Sequence, residues 1–268
     1  MTTPQKQPVT GWQRSLVIGM DKLIYKFSKH WLWVFNIAAF IYVGLPILAP
    51  ILMNAGATGP ARVIYTAYGP MCHQMASRSF FLFGEQAVYP RELADTEFAP
   101  IETYMPTLPE FEGVSTDAAA WAGSNGGQNF LTAARSFLGN EQLGYKMALC
   151  ERDIGIYGFV FIGGVIYAIL RRRTKIKPLS LIAFMILGMG PIGLDGFTQL
   201  FSMYSATADS SFMLSIFPLR ENTPYLRTFT DIWFGLSLVW LAYPHIEASL
   251  KQTERELEAK LRRIGELS

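Results

Sequence analysis

Residues 31–53 read WLWVFNIAAFIYVGLPILAPILM, 23 positions without a charged side chain. About 20 consecutive apolar residues are enough to cross the hydrocarbon core of a bilayer. The run is therefore read as a transmembrane helix. Ala55-Gly56-Ala57 follows it, a small-residue stretch of the kind signal peptidase cuts. A signal h-region spans only about 7–15 residues, so the run is too long for one and is read as a retained anchor.

The rest of the chain agrees with that class. It is 50% hydrophobic and 16% charged, against about 25% charged in soluble domains. Three further runs, at 154–170, 178–194 and 228–243, are apolar, the last interrupted by Asp231. The expected fold is an all-α membrane protein with about four transmembrane helices. Lys and Arg near helix ends set orientation. The segment 1–30 carries five of them, the 171–177 loop five and the tail 247–268 five, whereas 54–153 has six against eleven acids. Both termini and the 171–177 loop are thus expected in the cytoplasm, with a long extracytoplasmic segment after the first helix.

The expected organisation is 1–30 as an N-terminal segment, 31–246 as the transmembrane domain and 247–268 as a charged helical tail. Within the domain, 54–153 forms the outer segment, with an insertion at 84–147. Residues 1–10 read as disordered. Trp12 to Phe27 carries apolar residues at helical spacing beside Arg14, Lys22 and Lys26. It is either a helix lying on the membrane surface or the lead-in to the first span. The acidic, Gly- and Pro-bearing insertion is too long for a structureless loop in a compact protein. It is expected to hold one or two short helices, one near 128–138, packed on the membrane surface. In the tail, Leu250, Leu257, Leu261 and Ile264 keep a helical stripe, read as a solvated helix or a short partner-binding coil.

Helix length and orientation then bring distant polar residues to one depth. Asp195 lies about 26 Å along a helix entering at Pro178, with Gln199 one turn on. The fourth helix enters near Arg227, so Asp231 starts at that level. Cys150, Arg152 and Asp153 open the second helix there, Cys72, His73, Gln74 and Arg78 belong to the outer segment, and Asn222 lies in a second stretch expected outside, 200–226. Ionisable groups at membrane depth are costly and face a bundle interior or cavity, often in pairs. Thiolate, imidazole and carboxylate are zinc's ligand types. Cys72, His73, Cys150 and Asp195 are accordingly the candidate ligands of a divalent metal such as zinc. Gly69-Pro70 upstream supplies a turn that lets adjacent Cys and His converge. Gln74, Arg78, Arg152, Asp153, Gln199, Asn222, Arg227 and Asp231 complete the candidate cluster. Three other fates for the cysteines stay open: a Cys72–Cys150 disulfide, a redox-active pair cycling with quinone, and free buried thiols beside ion-paired carboxylates.

The motifs also resemble a known family. Cys72-His73-Gln74 with Arg78-Ser79-Phe80, then Cys150-x-Arg152-Asp153 opening a helix, then Pro191…Asp195-Gly196…Gln199, then Asn222…Leu226-Arg227…Thr230 is similar to the DUF2085 group of prokaryotic membrane proteins. The resemblance covers roughly 60–85 and 148–240. It departs in a longer stretch between the two cysteine motifs and in Phe229-Thr230-Asp231, where the family more often has Thr-Gly. It implies a helical membrane fold in a prokaryotic cytoplasmic membrane and candidate residues, and no reaction. A short helix carried by Ser77 to Phe83 is expected to re-enter or lie in the outer interface.

No Walker loop, no GxGxxG before a helix and no HExxH is present. The net charge of +2 gives no footprint for nucleic acid. Three function classes stand: a metal- or thiol-based site, an accessory subunit docking a membrane complex through the outer segment or tail, and a binder or transporter of lipids or small solutes.

Overall fold

The computed structural model describes residues 11–117, 126–207, 211–216 and 218–267. Residues 1–10 and 118–125, part of the insertion, lie outside them. The chain is mostly helical, with one three-stranded sheet. Among the described residues, three helices are long and apolar enough to cross a membrane: Trp12–Asn54, Glu151–Leu170 and Leu181–Ser205. The expected fourth run lies in helix α9 (Pro224–Arg263) and is not one of them. Asp231, Ser237 and the amphipathic rings of Trp233, Trp240 and Tyr243 dilute its apolar character.

Helix α1 runs unbroken from Trp12 to Asn54, 43 residues. At about 1.5 Å per residue this is about 64 Å, twice a hydrocarbon core of about 30 Å. The basic amphipathic stretch is thus the lead-in of the first span and not a separate surface helix. The tail is equally continuous with α9 and runs on beside α1. Lys22 pairs with Glu266 at 2.6 Å and Lys260 with Asp21 at 2.6 Å, and Leu261 is fully buried between them. Arg171, closing α5 (Glu151–Leu170), lies 3.5 Å from Glu247. All three basic clusters therefore gather at one end of the bundle.

Four prolines sit in the interiors of these helices. Proline has no N–H, so each leaves the carbonyl four residues back without its usual donor. In each case a residue distant in sequence supplies one. Pro46 leaves Tyr42, whose carbonyl accepts from the Tyr68 hydroxyl at 2.9 Å. Pro50 leaves Pro46, which accepts from Ala148 N–H at 3.2 Å. Pro191 leaves Leu187, which accepts from the Trp233 indole at 2.6 Å. Pro244 leaves Trp240, which accepts from Leu179 N–H at 3.3 Å. The third span carries its irregularity here: a short α6 (Leu181–Ala183), a π-helical stretch Phe184–Met189, then α7 (Gly190–Thr207). Such π segments relieve a broken ladder.

Helices α5 and α9 approach closely through glycine, as small residues allow in membrane bundles. A Cβ on Gly235 would stand 2.4 Å from the Ile156 carbonyl oxygen, and one on Gly155 2.9 Å from Asp231 Cβ. Gly163 and Gly164 face Val239 and Asn36 in the same manner, whereas Gly193 faces open space.

At the other end, α2 (Thr58–Tyr68) leads into the insertion, which has its own apolar core of Phe81, Tyr89, Ile101, Met105, Phe111, Phe130 and Phe137. Strands β1 (Phe81–Leu82), β2 (Gly139–Asn140) and β3 (Gly144–Lys146) form an antiparallel sheet in the order β1-β3-β2. Two short helices, α3 (Ile101–Tyr104) and α4 (Gly126–Ser136), complete it, the second where a helix near 128–138 was expected. The expected helix over Ser77 to Phe83 does not form. A 3-10 turn, Ala76–Arg78, gives way to β1. Phe81 is drawn into the core against Tyr89, and its N–H bonds the Ala87 carbonyl at 2.8 Å. Burial of that ring outweighs a local helical preference. Helix α8 (Ser211–Ile216) links α7 to the segment before α9.

Candidate functional site

The site is built where Gly69-Pro70 ends α2. Arg135 Nη2 donates to the Gly69 carbonyl at 2.9 Å. The chain reverses at Gln74, whose φ of 52° is left-handed, a conformation non-glycine residues seldom adopt. The reversal is held from three sides. Gln74 Nε2 donates to the carbonyls of Tyr65 and Ala148, each at 2.9 Å. Lys146 Nζ donates to the carbonyls of Gln74 (2.6 Å), Ala134 (3.0 Å) and Arg135 (2.8 Å). Tyr65 Oη donates to the Lys146 carbonyl at 2.5 Å. Lys146 is wholly buried, and burial pushes its pKa down to about 7.

This clamp sets Cys72 against the start of α5. Cys72 Sγ accepts from the backbone N–H of Gln74 at 3.4 Å and of Cys150 at 3.2 Å. Cys150 is the N-cap of α5, and its Sγ lies 3.2 Å from Asp153 Oδ2. The Cys150 hydrogen thus sits between two acceptors, Cys72 Sγ and Asp153 Oδ2. A side-chain hydrogen bond from Cys150 outweighs burial and holds the Cys72 thiol below its ordinary pKa. The same bond, then burial, push Cys150 up. The two thiols are thus pushed in opposite directions, Cys72 down and Cys150 up. Both cysteines are free, so the disulfide considered from the sequence is not formed.

One atom each from Cys72, Cys150 and Asp153 lie within 4.8 Å of one another. Two of the four expected ligands are therefore together. His73 is exposed and outside this group. Adjacent side chains diverge, and Cys72 takes the inward direction. Asp195 is also outside it, because α7 turns its carboxylate onto Arg152 Nη2 at 3.0 Å. Asp153 stands in its place, since N-cap and N3 residues share one side of a first turn.

The other expected polar residues form a buried ionic layer beneath. Glu221 is reached by Arg78 Nε at 2.7 Å, Arg227 Nη2 at 3.3 Å and Arg91 Nε at 3.7 Å. Burial alone would raise the Glu221 carboxyl; Arg78, Arg227 and Arg91 outweigh it and hold it below its usual range. Arg227 also holds Glu151 at 3.1 Å and donates to the Asn222 carbonyl at 3.2 Å, while Asn222 Nδ2 donates to the Asp195 carbonyl at 2.9 Å. Arg152 Nε stands 3.6 Å from Asp231 Oδ1. Gln199 lines the space above. Glu221, Glu151, Arg91 and Lys146 were not singled out from the sequence. Glu151 lies inside the motif Cys150–Asp153 and Glu221 directly before Asn222, the one signal available; nothing local marks Arg91 or Lys146.

Cys72, Cys150 and Asp153 open onto a cavity of about 460 Å³, lined also by His73, Arg78, Arg152, Gln199 and Met203. Cys72 and His73 separate it from a wider groove of about 860 Å³ beside Arg62 and Arg135.

Residues 132–241 match the family model DUF2085, described as a predicted membrane protein. The matched part runs from α4 through most of the apolar stretch of α9 and includes Cys150, Asp153, Asp195, Arg227 and Asp231, leaving Cys72 outside. The chain is 23% identical over 222 residues to "Uncharacterized protein MJ1492" of Methanocaldococcus jannaschii, covering 81% of this chain and 92% of that protein. No solved structure matches it significantly.

Proposed function

We propose that this chain is a multi-pass protein of the cytoplasmic membrane that holds a thiophilic divalent metal, of the zinc type, on Cys72, Cys150 and Asp153. Four helices cross the membrane, α9 being the fourth, with both termini cytoplasmic and the insertion outside. The gathering of all three basic clusters at one end supports that orientation, by the bias of cytoplasmic flanks toward Lys and Arg.

One observation carries the metal reading: three ligand atoms of zinc's preferred types mutually within 4.8 Å. With Zn–S near 2.3 Å, two thiolates on a tetrahedral ion stand about 3.8 Å apart. The cavity leaves the fourth position open, the arrangement in which a bound metal activates water or polarises a substrate. Elemental analysis of detergent-purified protein tests it. One zinc per chain is expected, lost in Cys72→Ser and Cys150→Ser and kept in Asp195→Asn. A folded protein that takes up no metal when supplied with it sinks this reading.

A second reading, a dithiol–disulfide couple, is favoured by the proximity of the two cysteines, with Cys72 Sγ 3.2 Å from the Cys150 backbone nitrogen and the two sulfurs within 4.8 Å. Closing that bond releases two protons and two electrons, which an acceptor of quinone type would take. Thiol counting after denaturation, with and without reductant, separates the two: two free thiols after chelation for the metal, a reductant-dependent pair for the couple.

A further inference from the structure

The cavity above the sulfurs has features the metal reading does not use. Two guanidiniums face it with donors to spare. Arg78 spends Nε on Glu221, its side chain is 30% exposed, and among the described residues its two terminal nitrogens carry no hydrogen bond. Arg152 spends Nη2 on Asp195 and turns Nε toward Asp231, with its side chain 33% exposed. Its Nη1 lies 3.9 Å from where a Cβ of Gly196 would stand, and nothing else is near that point. Gly196 thus leaves room on α7 directly beside a free guanidinium edge.

Apart from Asp153, which lines the cavity beside the sulfurs, the carboxylates of this region are buried behind the arginines. Glu221, Asp195 and Asp231 are all at most 4% exposed at the side chain. They fix the inner edges of the two forks and leave the outer edges to the cavity. Arginine so oriented suits a phosphate, which takes parallel N–H donors from a planar fork. The cavity's other wall is apolar, made of Met71, Met75, Leu200 and Met203. From Leu200 it continues onto exposed apolar side chains of α7, Phe197 and Phe201. At about 460 Å³ it falls in the range of small-ligand sites.

We infer that this cavity binds a phosphate-bearing anion, its oxygens between Arg78 and Arg152 and any apolar portion along α7. The continuous apolar wall favours a phospholipid headgroup; a free phosphate or soluble phosphate ester presents the same oxygens. The ligand lies against Cys72 and Cys150, so it is placed as a substrate of whatever chemistry they carry. The inference goes beyond the metal reading and does not need it.

The test uses the full chain in detergent with chelator present, so failure of the metal reading leaves it unaffected. Binding of short-chain phosphatidylglycerol, inorganic phosphate and short-chain diacylglycerol is measured by thermal shift and native mass spectrometry. Phosphatidylglycerol is expected to bind, and Arg78→Gln and Gly196→Leu to weaken it at least tenfold. Gly196→Leu fills the cavity without removing an ion pair, so it keeps the test decisive if Arg78→Gln unfolds. Comparable binding of inorganic phosphate upholds the site and makes its source soluble. Diacylglycerol binding as tightly, unchanged binding in both variants, or no binding of either phosphate species overturns it.

Discussion

Cys72 Sγ accepts the backbone N–H of Cys150 at 3.2 Å, across 78 residues of chain. The bond joins the end of a loop to the first turn of a helix, where the partial positive charge of the helix N-terminus adds to it. Nucleophilicity should therefore be unequal. Iodoacetamide is expected to label Cys72 before Cys150, at pH values below the ordinary thiol range of about 8.5. Cys150→Ala removes the donor that most favours the Cys72 thiolate, so its labelling profile should move to higher pH. Mass spectrometry of the labelled peptides reads both; equal rates at the two thiols contradict that inequality.

Lys146 gives a pH dependence with a definite sign. Its folded pKa, near 7, lies below the unfolded value of about 10.4. Between those limits the unfolded chain binds a proton the folded one does not, so stability rises with pH across that window and falls toward neutrality, by up to about 1.4 kcal/mol per unit. Three carbonyls that receive all three hydrogens of the ammonium form oppose the slope and reduce it. Lys146→Met is expected to abolish it and to lower stability at pH 7 by about 1–3 kcal/mol, the cost of carbonyls left unfilled. Denaturation in micelles across pH is the check.

In the ionic layer, Arg227 and Asp231 should behave differently. Arg227→Ala strands buried Glu151, leaves Glu221 to Arg78 and Arg91, and should cost about 3–5 kcal/mol. Asp231 accepts no hydrogen bond at either oxygen, and its nearest charge, Arg152 Nε, is 3.6 Å away. Asp231→Asn removes a buried charge that has no hydrogen bond and leaves Arg152 paired with Asp195, so it should cost less than about 1 kcal/mol. Thermal melts of the two variants rank them, and an equal loss in both would refute the distinction.

The helix contact can be probed at one atom. Gly235→Ala places a methyl 2.4 Å from a backbone oxygen of α5 that has no side-chain freedom to yield. A loss of about 1–3 kcal/mol is expected. Gly193→Ala meets nothing within 4 Å and should be neutral or slightly stabilising.

Trp233 and Pro191 make a double-mutant cycle. Trp233→Phe removes the donor to the Leu187 carbonyl and should cost about 1–3 kcal/mol. In a Pro191→Ala background the helix supplies its own N–H to that carbonyl, so the same substitution should cost less. Additive losses would show that the indole does not serve the proline-freed group.

Much of the fold was legible because its signals are one-dimensional. Uncharged runs of bilayer length marked the spans, and clustered arginines and lysines marked the end at which 11–30, 171–177 and 247–267 meet. The helix near 128–138 followed from the improbability of a bare loop of that length. Ser77 to Phe83 misled, because nothing local announces that Phe81 will be taken into a core completed by Tyr89 and Phe137.

The site divides along the same line. Sequence brought Cys72 and Cys150 to one level, because span length and orientation fix depth. It could not fix rotation about each helix axis, and rotation decides partners: α7 turns Asp195 onto Arg152, so Asp153 joins the sulfurs. The prolines tell the same story. Their positions alone establish which carbonyls lose a donor, since proline's missing N–H is covalent chemistry. Which groups answer — Tyr68, Ala148, Trp233 and Leu179 — was decided by packing between segments far apart in the chain, where a buried carbonyl must find whatever donor the fold brings near.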